Sequence, residues 1–150
     1  MGFIRKKLRL KILNLRKVSF FFLTLRKTSY ILKYNKKAGI LLYRISSDII
    51  PFASHEVNKI KWWQEFENEL SNIKKIIKDS GFRVSMHPGQ YTVLNSNNSS
   101  VVDNAIDELE YHAKFLSVIT DNYKHKIVLH IGGIYGDKEK AIERFISNFH

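Results

Sequence analysis

From residue 39 onward the chain alternates three times between a short apolar run and a longer stretch of helical periodicity, and no other feature limits its fold more. ILLYRIS (40–46) follows Gly39, FRVSM (82–86) follows Gly81, and KIVLHI (126–131) precedes Gly132-Gly133. Each run has strand length and a largely apolar composition, as strands of a helix-covered parallel sheet do. Between the first two, Trp62, Phe66, Leu70, Ile73 and Ile77 recur at spacings of three and four. That predicts a helix near 60–79, stopped by Gly81. Between the second and third, the polar NSNNSS (95–100) leads into a helix bearing Val102, Ala105, Leu109, Ala113 and Leu116. Ser100 and Asp103 have capping-box spacing at its start. A last helix carries Ile142, Phe145, Ile146 and Phe149, with Asp137 as its cap.

Repeated βα units predict an α/β fold with a parallel sheet, as a doubly wound open sheet or a TIM (β/α)8 barrel. No G-x-G-x-x-G follows a strand, which weakens the dinucleotide-binding version of the open sheet. A full barrel takes about 250 residues. A chain of 150 residues with three to four βα units reads as part of one.

The first third is different. Residues 1–47 hold 13 Lys or Arg and no Asp or Glu, whereas residues 48–150 hold 12 basic and 14 acidic side chains. The basic excess suits nucleic acid or an anionic membrane, or is a solvated terminal segment. Some helix is expected over 24–37, and no element is assigned to the remainder of 1–38. VSFFFLTL (18–25) is too short to span a membrane, which needs roughly 20 apolar residues. No small-residue cleavage site follows it. The expected location is cytoplasmic, with no membrane partner. There is no cysteine, so a metal would have to be held by His, Asp or Glu.

Strands of parallel α/β folds present functional groups at their C-terminal ends. His87 ends the second strand, His130 lies at the end of the third, and His55 follows the first through SSDIIPFASH. Imidazoles converging there suit Zn²⁺, Mn²⁺ or Fe²⁺. Each histidine taken alone reads more readily as a hydrogen-bonded core residue, whereas three at equivalent strand ends favour a shared site. His112, beside a helix stripe, and His125, in the turn DNYKHK, read as structural or solvated. Just past His87, Gly89 permits a sharp turn that offers Gln90 and Tyr91. The ring can stack on a base and the amide can bond its edge, or the tyrosine simply packs on its own domain. Trp62 and Trp63 read as core and rim. No elbow motif surrounds Ser54 or Ser85, which leaves a serine nucleophile unsupported.

YRISSDIIPFASHE, RVSMHPGQY and KIVLHIGGIYGDKEKA, in this order and spacing, closely resemble the UV damage endonuclease family, UvdE. The resemblance runs from about residue 30 to the C-terminus. It sets residues 1–29 apart as a basic, unmatched segment and 30–150 as a partial TIM-barrel domain. It implies a metal-dependent endonuclease of DNA excision repair that nicks double-stranded, UV-damaged DNA 5′ to pyrimidine photoproducts. It implies a divalent metal cluster, commonly manganese, with His87 and His130 among its ligands. His55 would assist beside the scissile phosphate, and Gln90 and Tyr91 would probe the lesion while the damaged nucleotides flip outward.

Two departures qualify these implications. MGFIRKKLRLKILNLRKVSFFF does not match the family's first strand. The later strands, whose carboxylates and further histidines complete the family's cluster, have no counterpart before His150. The expectation is therefore a partial chain that cuts DNA poorly alone, or one completed by a separate chain carrying the rest of the barrel. Three other readings stand beside it: a sugar isomerase or apurinic-site nuclease on a similar barrel, a non-catalytic nucleic-acid binder using the basic first third, and an inert gene remnant.

Overall fold

The computed structural model describes residues 2–55 and 58–149, and the side chains of residues 18–55 and 58–149. Helix α1, Gly2–Lys37, is continuous over 36 residues, about 54 Å of helix. It is therefore far longer than the segment expected over 24–37. Packing, rather than end-capping, anchors it. Phe21, Leu25 and Leu32 are fully buried at spacings of four and seven. The Phe21 ring meets Phe66 edge-on at 6.1 Å. Further along, Asn72 Nδ2 donates to Ser29 Oγ at 3.1 Å. Lys36 and Lys37 lie in the last turn, where cations complement the helix dipole. Gly39 then reverses the chain at φ +74°.

Strands β1 (Leu42–Ile45), β2 (Arg83–Met86) and β3 (Lys126–Ile127) form a parallel sheet in the order β1-β2-β3. Tyr43 pairs with Val84, Ile45 with Met86, and Met86 with Ile127. These residues face the helices and join the hydrophobic core. Their neighbours Leu42, Arg44, Arg83 and Lys126 point to the opposite side and are exposed. The expected near-continuous apolar strands thus alternate, and one face of the sheet is bare.

The helix expected over 60–79 is two pieces, α2 (Trp62–Glu65) and α3 (Glu67–Ser80), kinked at Phe66 with φ −115° and ψ 31°. Hydrogen bonds from Phe66 N to Trp62 O and from Leu70 N to Phe66 O carry the ladder across the kink. All five residues of the apolar stripe are buried. Gly81 closes α3 in the left-handed conformation.

Helix α4, Ser99–Ile119, corrects two expectations. Its cap is Asn98, whose Oδ1 accepts from Ser100 N and Ser100 Oγ, and not Ser100 itself. Its buried face includes Tyr111, His112, Phe115 and Ile119, while Ala113 is exposed. The large rings turn the face toward Trp62, which Tyr111 and Phe115 meet at 6.0 and 5.7 Å.

Only Lys126 and Ile127 of KIVLHI are paired as strand, although Val128 N still donates to Met86 O at 2.9 Å. Among the described residues no fourth strand lies beyond them to extend the ladder. Asp137 does cap the last helix, α5 (Lys138–Phe149), by accepting from Lys140 N. The apolar face of α5 is not core, since Ile142, Ile146 and Phe149 are exposed. Instead, Arg144 Nε donates to Asn95 O and Asn148 Nδ2 to Leu94 O, and these bonds hold the helix. Among the described residues no helix is long and apolar enough to cross a membrane.

Candidate functional site at the strand ends

The alternation that bares one sheet face also aims two histidines. Arg83 and Ser85 point away from the helices, and His87 continues that period of two; Lys126 and Val128 lead to His130 in the same way. The imidazoles of His87 and His130 meet edge to face, with ring centres 4.6 Å apart and planes at 88°. His87 is half-buried above the buried Met86, and His130 is exposed.

Past His87 the chain turns, with Thr92 N donating to Gly89 O at 2.9 Å. The turn leaves Gln90 and Tyr91 in solvent, and Tyr91 is 81% exposed. Tyr91 stands between two clefts. One contains Gln90, His130, Gly132 and Tyr135. The other contains Ser54, His55, Gly89, Thr92 and Glu108. His55 thus lines the cleft on one side of Tyr91 and His130 the cleft on the other.

The loop bearing His55 is tied down from α4. The Tyr111 hydroxyl donates to Ser47 O at 3.0 Å and accepts from Ile50 N at 3.2 Å. Burial holds that phenol far above its ordinary pKa, so it stays a neutral donor. Ser54 Oγ donates to Glu108 Oε2 at 2.6 Å. Between these ties Phe52 takes a left-handed φ of 57°, and His55 N donates to Phe52 O.

A second brace stands behind His130. The Asn95 side chain, buried under α5, donates from Nδ2 to Gly133 O at 2.8 Å and so fixes the turn after the histidine. None of Tyr111, Glu108, Asn95 and Arg144 stands out in the sequence. They are single polar residues in helices or a polar loop, and only tertiary contact reveals their partners.

The remaining described histidines are structural. His112 is fully buried, and its Nδ1 lies 2.6 Å from Glu108 O, so Nδ1 carries the proton. His125 Nδ1 accepts from Val84 N–H at 3.1 Å, standing in for a backbone carbonyl where the β2–β3 ladder begins. Burial pulls the His125 pKa down. His150 lies outside the described residues.

Paired imidazoles are the donor type that Mn²⁺, Fe²⁺ or Zn²⁺ takes. They do not suit a cluster of several cations, which needs carboxylates to offset the charge. Among the described residues no three His, Asp or Glu groups converge to hold a metal. Among the described residues no Asp or Glu lines the cleft beside His130.

The family model described as UV-endonuclease UvdE matches residues 6–150. Its match begins within α1, ahead of the motif-bearing stretch. The chain is 51% identical over 119 residues to a UV DNA damage endonuclease of Clostridium perfringens, which covers 79% of this chain and 29% of that protein. It is 41% identical over 124 residues to a UV DNA damage endonuclease of Bacillus cereus, covering 83% of this chain and 39% of the relative. The fold superposes on the crystal structure of SacUVDE with a TM-score of 0.84 at 40% identity, covering 89% of this chain and 46% of the other. The chain thus spans less than half the length of each of these relatives. Over the part that it spans, three strands, five helices and the sequence agree with them, and the chain belongs to the UV-endonuclease UvdE family.

Proposed function

We propose that the chain forms part of a UV DNA damage endonuclease, a metal-dependent hydrolase of excision repair that nicks double-stranded DNA 5′ to pyrimidine photoproducts. Its three to four βα units would be one side of a (β/α)8 barrel. The observation that carries this reading is the contact of His87 with His130 at the strand ends, with Gln90 and Tyr91 exposed on the adjoining turn. Membership of the family supports it.

In this reading His87 and His130 are two ligands of a divalent metal, Mn²⁺ being the expected ion. Such an ion, when bound, polarises a phosphate and ionises a water. The chain's own residues do the rest. Tyr91 and Gln90 enter the duplex where a crosslinked dinucleotide is already partly unstacked, since extruding it costs less than extruding a normal pair. His55, across Tyr91 from the pair, donates a hydrogen bond to the phosphodiester beside the lesion. Tyr111 and Glu108 keep its loop from drifting. Among the described residues no carboxylate joins the pair, so these 150 residues by themselves are expected to hold metal incompletely and to nick slowly, and further strands carrying carboxylates would complete the site.

The test is nicking of supercoiled plasmid with added Mn²⁺, irradiated and unirradiated, alongside binding to both. Selective binding to irradiated DNA with weak nicking by the chain alone supports the reading. Equal binding to both, falling steeply with salt, favours the non-catalytic binder suggested by the 13 cations of residues 1–47. Fast, selective nicking by the chain alone contradicts the incomplete site.

A further inference from the structure

The turn between β3 and α5 holds an aromatic ring in a backbone conformation that resists one. The turn 134–137 closes with Asp137 N donating to Ile134 O at 3.1 Å. Both of its central residues have positive φ, Tyr135 at 50° and Gly136 at 83°. That pattern belongs to a type I′ turn, where Asn-Gly is the preferred pair. A bulky residue with positive φ is strained, and such strain gathers at functional sites. Among the described residues only Phe52 and Tyr135 carry it outside glycine, and each lies on a loop that follows a strand. The Tyr135 ring lies against Gly133, close enough that a Cβ there would meet it at 3.8 Å. The Arg144 guanidinium sits over the same ring, 5.6 Å from its centre. Neither neighbour depends on the ring. Arg144 Nε already donates to Asn95 O, and Gly133 O already accepts from the Asn95 amide. An asparagine at 135 would relax the turn and leave both ties in place. What the ring supplies is a wall of the cleft that Gln90, Tyr91 and His130 also line, with 46% of Tyr135 accessible.

We propose that Tyr135 is a base-stacking residue, which takes an unstacked nucleobase of the DNA against its ring in the cleft beside His130. This rests on the proposed reading of the site as one that opens a damaged duplex, and it adds a second aromatic group to the first. Tyr91 borders the cleft from the turn after β2 and Tyr135 from the turn after β3, so aromatic surface reaches it from two loops. Bases stack on such rings whatever their sequence. Gln90, in the same cleft, offers an amide for a base edge. The cleft is free of Asp and Glu among the described residues, so nothing there repels the phosphates on either side of the base. The ties from Asn95 and Arg144 fix the turn before DNA arrives, which leaves little ordering to be done on binding.

The test is binding of single-stranded oligothymidylate to the full chain, followed by the fluorescence anisotropy of a label on the DNA. The bases of this probe are free to stack, so the readout depends neither on recognition of damage nor on nicking. Salt is raised until phosphate contacts from the basic first third no longer dominate. Tyr135→Asn should weaken binding by about fivefold or more. Tyr135→Phe, which keeps the ring, should bind like the unaltered chain. A second readout needs no variant: iodouracil placed in the oligonucleotide should crosslink to Tyr135 when the complex is illuminated. Binding that Tyr135→Asn leaves unweakened overturns the inference, and so do crosslinks that form elsewhere and spare residue 135. Selectivity of the unaltered chain for UV-irradiated over unirradiated plasmid is scored separately, so a failure of damage recognition is separable from a failure of stacking.

Discussion

Asn95 and Gly132, 37 positions apart in sequence, pack so closely that a Cβ on Gly132 would overlap the Asn95 side-chain oxygen. Gly132 also takes φ +97°, where L side chains are strained. The turn after His130 therefore tolerates only glycine there, and the Asn95 amide holds it by donating to Gly133 O.

Gly132→Ala should cost on the order of 1–3 kcal/mol, read by urea unfolding. Part of that cost is the overlap. In an Asn95→Ala background the same substitution should cost less, by about 0.5 kcal/mol or more. Equal costs in both backgrounds would show that the contact does not constrain the turn.

The first helix makes a second test, because its sequence has few of the signals by which helices are recognised. Leu25→Ala should destabilise the protein by about 2–5 kcal/mol, since Leu25 is fully buried. Leu23→Ala, at an exposed position of the same helix, should stay within about 0.5 kcal/mol. Similar effects from both would mean that α1 does not dock as described.

Tyr111→Phe removes two hydrogen bonds to the loop that carries His55. A loss of about 1–3 kcal/mol is expected. Hydrogen exchange should quicken at Ile50, whose amide loses its acceptor, while amides in the middle of α3 stay protected. Unchanged exchange at Ile50 would remove Tyr111 as the loop's tether.

His125 should make stability depend on pH. Its folded pKa lies below the ordinary 6.5, chiefly through burial, with Asp121 opposing and Lys124 assisting the shift. The neutral form is the one that accepts from Val84 N–H. Its contribution is therefore present above the unfolded pKa and is lost as pH falls through the folded one. Unfolding free energies of the unaltered chain and of His125→Asn should converge as pH falls from 8 toward 5. A constant difference over that range would contradict this role.

Much of this was legible in the sequence, for identifiable reasons. The stripe Trp62 to Ile77 is buried as a 3.6 period requires, and Gly39 and Gly81 stop their helices where a positive φ is needed. What failed were features decided by neighbours. Ala113 fits the stripe by spacing, but the bulk of Tyr111 and Phe115 turns α4 about its axis. KIVLHI has strand composition, yet pairing needs an adjacent strand, and only Lys126 and Ile127 have one in register. Ile142, Ile146 and Phe149 recur at helical spacing, yet they stay exposed on α5 rather than joining the core. For the site, strand-end position identified His87 and His130 as neighbours, and the period of two supplies the reason. The braces from Asn95, Glu108 and Tyr111 were invisible, since a side chain bonding to a distant backbone leaves no periodic trace.

The most direct test of the central claim is a Mn²⁺ titration followed through the histidine ring resonances. Paramagnetic broadening should erase the signals of His87 and His130 together, at the same fraction of added ion, while those of His112 and His125 persist. His87→Ala should protect His130 from broadening, and the reverse substitution should protect His87. Broadening that reaches only one member of the pair, or that survives removal of its partner undiminished, would contradict a shared cation.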